Sequence, residues 1–509
     1  YAGFSGQAQF SNAIGYEAGR VNQGADSVAI GTQCASNGQG QASVAIGRLS
    51  GTSGQASNCV AIGMQCANFN QAIYGIAVGY QCAQTNQAQG AVAIGFQAQQ
   101  TNSALDAISI GSSAGQGSQG AFSVAVGSQA GNLNQGTYSL AVGLYAGQVS
   151  QGSLSVALGY QSARYSQSRE CVAIGQLAGV FSMGQGSISI GNQAGYTGQA
   201  DNCVSIGGQA GYQGQIQGSV AIGASAGFSG QKQYATACGA GAGKFNQGTW
   251  SVAVGTDAGT RNLGYSTVAI GKSAGYTQSA TTYESVFIGA NAGYTNGGDY
   301  CTTVGSYAGQ VSQGALACAF GHRSGNTSQG AYAVSIGYQS GGISQGANSI
   351  ALGRQAGLNS QGANSIVINA SGSTLDNTTA SSCVINPIRN VGARSSTIRK
   401  TYWNTSTSEL SYDENSNVSE IWDTRSSSKT PNGYRSDPGG LNVIREFKLN
   451  TDIGSPFGAS TYVTLETYIP WTDTSGGVCW QQVFANVDGS AKKRYETSGT
   501  TWSSWFTWY

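Results

Sequence analysis

The chain of 509 residues has a net charge of +1, and only 8% of it is Asp, Glu, Lys or Arg, against about a quarter in an ordinary globular domain. Charge this sparse and balanced leaves no basic footprint for nucleic acid, and no apolar run reaches the roughly 18 residues of a membrane span. With 79 glycines such a chain is either disordered or a repetitive β structure, and its regularly placed Val and Ile argue for the second.

The first residues, Tyr1-Ala2-Gly3, fit the middle of a repeat as Tyr145-Ala146-Gly147 do. They therefore read as part of a longer chain whose preceding region would attach it to other proteins. From there a phrase such as "SVAIG" recurs with its glycine every sixteen residues, from Gly15 through Gly271. One step of eighteen follows, and the register resumes from Gly289 to Gly353, making 22 copies before Asn369 takes the glycine's place. A fixed period this short means a solenoid. Sixteen residues hold two short strands and two tight turns, with Gly supplying the special turn conformations. Alternation puts Val28 and Ile30 on one face of a strand and Ser27 and Ala29 on the other. The expectation is an apolar Val/Ile spine inside the roll and a flat Ser/Ala face outside, against which another chain could pack.

Gln recurs eight residues after the glycine in 17 of the 22 copies, as an amide ladder along the stack would require; a repeated polar ligand site is the other reading. Tyr196, Tyr212, Phe228, Tyr276 and Tyr294 share one register position, as a stacked stripe or as a grip for sugar rings. The cysteines replace small residues: Cys59, Cys171, Cys203 and Cys301 stand for the strand Ser, and Cys34, Cys66 and Cys82 for the turn Ala. Only Cys66 and Cys82 fall on adjacent coils. Free buried thiols and assembly in a reducing compartment are expected. With His322 as the single histidine and no CxxC, neither a zinc site nor a His-based triad is available. No metal and no cofactor are expected.

The material changes beyond the repeats. All five prolines and seven of the eight tryptophans follow residue 386. The organisation reads as a β-roll shaft over 1–369, a cap or neck over 370–422, a linker over 423–440 and a small β domain over 441–509. Within the neck, "KTYWNTSTSELSY" reads as a hairpin. In the last domain "NVIREFKL", "STYVTLETYI", "VCWQQVFANV" and "TWSSWFTWY" are strand candidates, and Lys492, Lys493 and Arg494 make a basic spot on a solvated turn or facing an anionic polysaccharide. Trp471, Trp480, Arg494, Trp502, Trp505 and Trp508 are the candidate ligand-binding residues, since aromatic faces stack on sugars. A small domain also needs such rings for its own core.

The phrase "SVAIG-x-x-A" over residues 1–369 resembles the head repeat of YadA-type trimeric adhesins, a motif shared with viral and phage fibres. The resemblance implies a left-handed parallel β-roll, three of which associate on one axis, although that family's repeat is shorter than sixteen residues. The neck resembles the ends of such arrays in phage and giant-virus fibre proteins. The span 479–509 resembles the pyocin-knob type of tail-fibre domain, through Gln481 or Gln482, Arg494, Trp502, Ser503 and Trp505. Together these imply a homotrimeric, all-β structural fibre of a virion whose tip binds a glycan or protein receptor on a host cell. The alternative is the head of a trimeric bacterial surface adhesin, against which stand the lack of sustained heptads and of final barrel strands. An enzyme is not expected: the acids Glu446, Asp452, Glu466, Asp473, Asp488 and Glu496 show no pairing of the kind glycan hydrolysis needs.

Overall fold

The computed structural model describes residues 2–279 and 283–388 and, of the rest, strands between 401 and 507 with some flanking residues. Two units are distinguished, Tyr1–Ile388 and Arg389–Tyr509.

The first unit is a parallel β-solenoid. Its strands are only three residues long in nearly every coil, because the coil is only sixteen long and must turn twice. Val28–Ile30 pairs with Asn12–Ile14 on one side and Val44–Ile46 on the other, residue for residue. The same parallel pairing continues through a sheet of 24 strands that ends at Cys383–Asn386. The step of eighteen is absorbed without loss of register, Val268 lying opposite Val286. The sheet runs past Asn369 for one coil of seventeen, in which Ile366 lies opposite Cys383. At about 4.8 Å per strand the stack is about 110 Å long. A second, discontinuous sheet closes each coil. It is continuous from Val21–Gln23 to Thr85–Gln87 and thins to single bridges elsewhere, such as Gln213 to Ser229.

The faces of the main sheet are the reverse of the expected ones. Ala29, Ser27 and their equivalents are fully buried, whereas Val28 and Ile30 are only half-buried. Alternation divides a strand into two faces without saying which one is inward. In so thin a coil the opposite wall is close, and the inner positions are taken almost entirely by Ala, Ser and Cys, with Thr267, Thr303 and Val367 among the few larger residues buried there. Where Phe287 stands at an inner Ala position, the coil gives space elsewhere. Gly297 replaces the usual Gln, and a Cβ there would sit 2.6 Å from the Phe287 ring tip. Val and Ile are thus driven outward, with Ile94, Ile222 and Ile270 each nearly two-fifths exposed.

What fills the interior beside the small residues is the glutamine column. Gln231 is fully buried. Its Nε2 donates to the carbonyls of Val220 (2.7 Å) and Ala235 (3.0 Å), and to Gln247 Oε1 at 3.2 Å. Its own Oε1 accepts from Gln215 Nε2 at 2.8 Å. The same stacking joins Gln55 to Gln71, Gln71 to Gln87, and Gln313 to Gln329 and Gln345. Each of these rungs tethers its own coil's backbone and the next coil at once. Where the amide chain is interrupted, as between Gln39 and Gln55, the Nε2 still bonds backbone carbonyls, so the ladder is structural. At irregular coils other residues take the column: Gln99 reaches over to Gln119, and Met183 and Leu263 substitute apolar volume.

Several backbone positions fix the turns, among them a left-handed residue two places after the glycine, as at Gln33 (φ 54) and Leu49 (φ 58). The glycine that ends each repeat's main strand, from Gly15 to Gly353, has φ between 107° and 140°, as at Gly143 (φ 126), a region closed to other residues. The corner two residues before each strand is left-handed in all 24 coils, from Phe10 to Ser381, and its N–H bonds a carbonyl of the preceding coil, as Tyr138 bonds Ala121 at 3.0 Å. For residues other than Gly, Asn and Asp that conformation costs roughly 1–2 kcal/mol each.

Cys66 and Cys82 form a disulfide, which corrects the expectation that all shaft cysteines are free. They occupy one turn position of successive coils with their Cα atoms 4.9 Å apart, within the about 4.4–6.8 Å a disulfide spans. Cys34, Cys59, Cys171, Cys203 and Cys301 are free and buried. Burial pushes the Cys34 thiol up to about 12 and that of Cys301 up to about 11, so both stay protonated and unreactive near neutrality.

Candidate functional site

Shaft aromatics stack at several register positions, and the five singled out from the sequence do so five residues after their glycine. Tyr196, Tyr212 and Phe228 lie 5.0 and 4.9 Å apart with rings within 6° of parallel, and Tyr276 stacks on Tyr294 at 4.9 Å. Tyr165 and Phe181 extend the run on one side and Phe245 on the other. Within the parallel stacks the facing ring surfaces cover one another, and the contacts of Phe181 with Tyr196 and of Phe228 with Phe245 are edge-on, so the stack braces the coils and closes those shared faces to a sugar.

The second unit has a hairpin, Thr401–Asn404 against Glu409–Tyr412, as its sequence suggests. It also has a sheet in which Val443–Leu449, Tyr462–Tyr468, Trp480–Ala485 and Ala491–Ser498 pair antiparallel in chain order. Thr501–Trp502 and Phe506–Thr507 both add to Ala491–Ser498. Ile421–Asp423, from the neck, pairs parallel with Val443–Leu449. The basic spot is therefore a strand and not a turn, and alternation sends Lys492 and Arg494 to one face and Lys493 to the other.

On the first face Val463, Leu465 and Val483 are buried with Ile453, and Trp505 packs against them. Arg494 lies in this layer, its guanidinium carbon 4.4 Å from the Trp505 ring centre and 5.0 Å from that of Trp502. Its Nε donates to Gln481 Oε1 at 2.6 Å, and a terminal nitrogen donates to the Ile453 carbonyl at 3.2 Å. Trp505 Nε1 donates to that same carbonyl at 2.7 Å. Gln481, fully buried, passes its own amide proton to Thr467 Oγ1 at 2.8 Å. The Gln, Arg and two Trp residues of the C-terminal motif thus converge, and what they build is support for the sheet. Replacing Arg494 with Ala strands a buried amide and unstacks two indoles, so the C-terminal unit is expected to lose about 2–4 kcal/mol. Arg494→Lys should recover less than half of that, since an ammonium cannot bond the amide and carbonyl while lying flat between two rings. Tryptophan-fluorescence unfolding of the full chain measures both.

The opposite face differs in chemistry. Trp480 stacks on Tyr468 (3.6 Å, 8°), and Lys493 Nζ lies 4.5 Å from the Trp480 ring centre. Glu466 accepts from the Tyr468 hydroxyl at 2.8 Å and from Gln482 Nε2 at 3.0 Å. Tyr495 stacks on Phe506 at 5.3 Å, and both are more than a third exposed. Glu466 is buried, while Tyr468, Trp480, Gln482 and Lys493 are partly exposed, so the rims of the aromatic pair with the amide and the ammonium are what this face offers a polyhydroxylated ligand. Of the six candidate residues, then, Trp480 lies on this face, while Arg494, Trp502 and Trp505 lie in the supporting network. Trp471 and Trp508 fall outside the described residues. Tyr468, Tyr495 and Phe506 were not singled out from the sequence, Gln482 entered only as an alternative to Gln481 in the motif, and Glu466 only as one of the scattered acids. The signal was available: "AKKRYETS" alternates as a strand and puts Tyr495 beside Lys493. Among the described residues no three His, Cys, Asp or Glu side chains gather as metal ligands. Compared with known proteins, the chain matches no family model, no curated protein and no solved structure.

Proposed function

We propose that this chain forms a homotrimeric attachment fibre of a virion, of the phage-tail-fibre kind, in which the β-roll is the shaft and the C-terminal sheet meets a host-cell glycan or protein. The observation that carries this reading is the outward Val/Ile face, repeated on a sheet of 24 strands in unbroken parallel pairing. The largest apolar patch of an ordinary monomer covers about 300–600 Å², and an aliphatic face along the whole roll goes well beyond that. Such a face calls for other chains of matching length. Three rolls around one axis, the arrangement implied by the YadA-type resemblance, would turn three of these faces inward. The expected Ser/Ala contact is replaced by an aliphatic one, which strengthens the case for association. At the other end of the chain, the face carrying Trp480, Tyr468, Lys493 and Glu466 offers recognition chemistry. Three copies of a weak site gain avidity through effective concentration.

Immunogold electron microscopy with an antibody against residues 441–509 tests the assignment on the source material. Gold at the far ends of fibres on virus particles is the expected result. Gold spread over a cell envelope overturns it and favours an adhesin head.

A further inference from the structure

The corner before each strand carries a contradiction between backbone and side chain. Its left-handed conformation is set by the coil-to-coil hydrogen bond, and nine of the 24 corners meet it with Asp, Asn or Gly, as at Asp26, Asn58 and Asn202. Ten others carry Phe, Tyr, Trp or Leu at φ between 56° and 62°. All ten are at least 43% exposed, so the strain is not offset by burial within the chain. Three fall on successive coils, Phe122, Tyr138 and Leu154, and three more further along, Tyr300, Leu316 and Tyr332. Phe122 and Tyr138 stack at 5.1 Å and 7°, which presents a preformed apolar surface to whatever lies outside. The hydrogen bond accounts for the backbone, but large apolar side chains kept exposed on a strained corner point to a role beyond the fold of the chain itself.

We infer that these corner clusters are contacts to a second copy of this chain, made at the edge of the outward Val/Ile face. The inference rests on the reading of the shaft as an assembly of several chains. Two features select the occupant. Each corner leads within two residues into the outward pair of its strand, Tyr138 into the half-buried Leu140 and Val142, so the clusters border that face. A partner that covers three successive corners in two widely separated places must also repeat at the pitch of the coil over that whole distance. Another roll of the same sequence does so. Between the clusters, Glu170, Gly186, Asn202, Gly218, Ser266 and Glu284 leave gaps on either side of Tyr234 and Trp250, so the aromatic and Leu corners fix the longitudinal alignment of neighbouring chains.

The test uses substitutions that suit the corner better than the native residues do. The full chain carrying F122N, Y138N and L154N together is compared with the unchanged chain by sedimentation equilibrium over a range of concentrations, with thermal unfolding recorded at each. Asn favours the left-handed conformation, so the isolated chain should keep or gain stability while self-association weakens tenfold or more. Unchanged self-association overturns the corner assignment and leaves the multi-chain shaft standing. An unsubstituted chain that stays monomeric at every concentration overturns the shaft reading, and this inference with it. A variant that loses its β signature shows that the corners serve their own chain, which also overturns the inference.

Discussion

Replacing Gly143 with Ala should open the roll at that coil, at a cost of roughly 3–5 kcal/mol, from a left-handed strain no other residue tolerates plus an overpacking term. The added Cβ would sit 2.6 Å from the carbonyl oxygen of Gly159 and 2.8 Å from its carbon. Both are backbone atoms of the next coil, and no rotamer change relieves the contact. Coils are coupled mainly to their neighbours, so the damage is local. Hydrogen exchange should show amide protection lost over the coils on either side of residue 143 and kept at a distance. Gly38 is the control: its φ is also positive, at 74°, but a Cβ there meets nothing within 4 Å. Gly38→Asn should change stability by less than about 1 kcal/mol, because Asn accepts the left-handed region. If the two substitutions cost the same, close approach between coils is not what the repeating glycine provides.

The second large effect belongs to the interior column. Gln231→Ala should cost about 3–5 kcal/mol, because it strands the Gln215 amide and the Gln247 oxygen and leaves a cavity between them. Gln231→Leu should cost distinctly less. Leu263 already occupies the equivalent place, almost fully buried, so the volume is acceptable and only the broken amide chain remains to be offset, at about 1–3 kcal/mol. Local hydrogen exchange around residues 215–251 reads both. An Ala variant no worse than the Leu variant would mean that shape contributes nothing to the column.

The sequence made the coil length, the parallel register and the ladder legible, and the reason is physical. A residue that must recur at a fixed backbone station, like Gly143 or Gln231, leaves a periodic mark that needs no three-dimensional knowledge to find. The inside and the outside of the strand were not legible. Val-Ala-Ile alternates identically whichever face is buried, and the outcome depends on a wall-to-wall distance that no single strand encodes. The exchange of Phe287 and Gly297 has the same character, since each looks like a lapse from the pattern until the two are seen to share a volume. In the C-terminal unit the tryptophans stood out by rarity. Their division into support (Trp502, Trp505) and open face (Trp480) depends on pairing partners such as Gln481 opposite Arg494. The strand Ala491–Ser498 was hidden by its charges, which suggested solvent where alternation was the better guide.

The steps of eighteen at Val286 and seventeen at Cys383 carry a consequence for how such a molecule changes over time. The pairing on either side of each longer step continues undisturbed, so the roll forgives errors in the length of one coil. Whole coils are interchangeable in the same sense, each presenting the same upper and lower edge. An in-frame duplication or deletion of one repeat would therefore alter reach by about 4.8 Å without disturbing either end. Length becomes a quantity adjusted in units, tuned by recombination among near-identical segments rather than by point substitution.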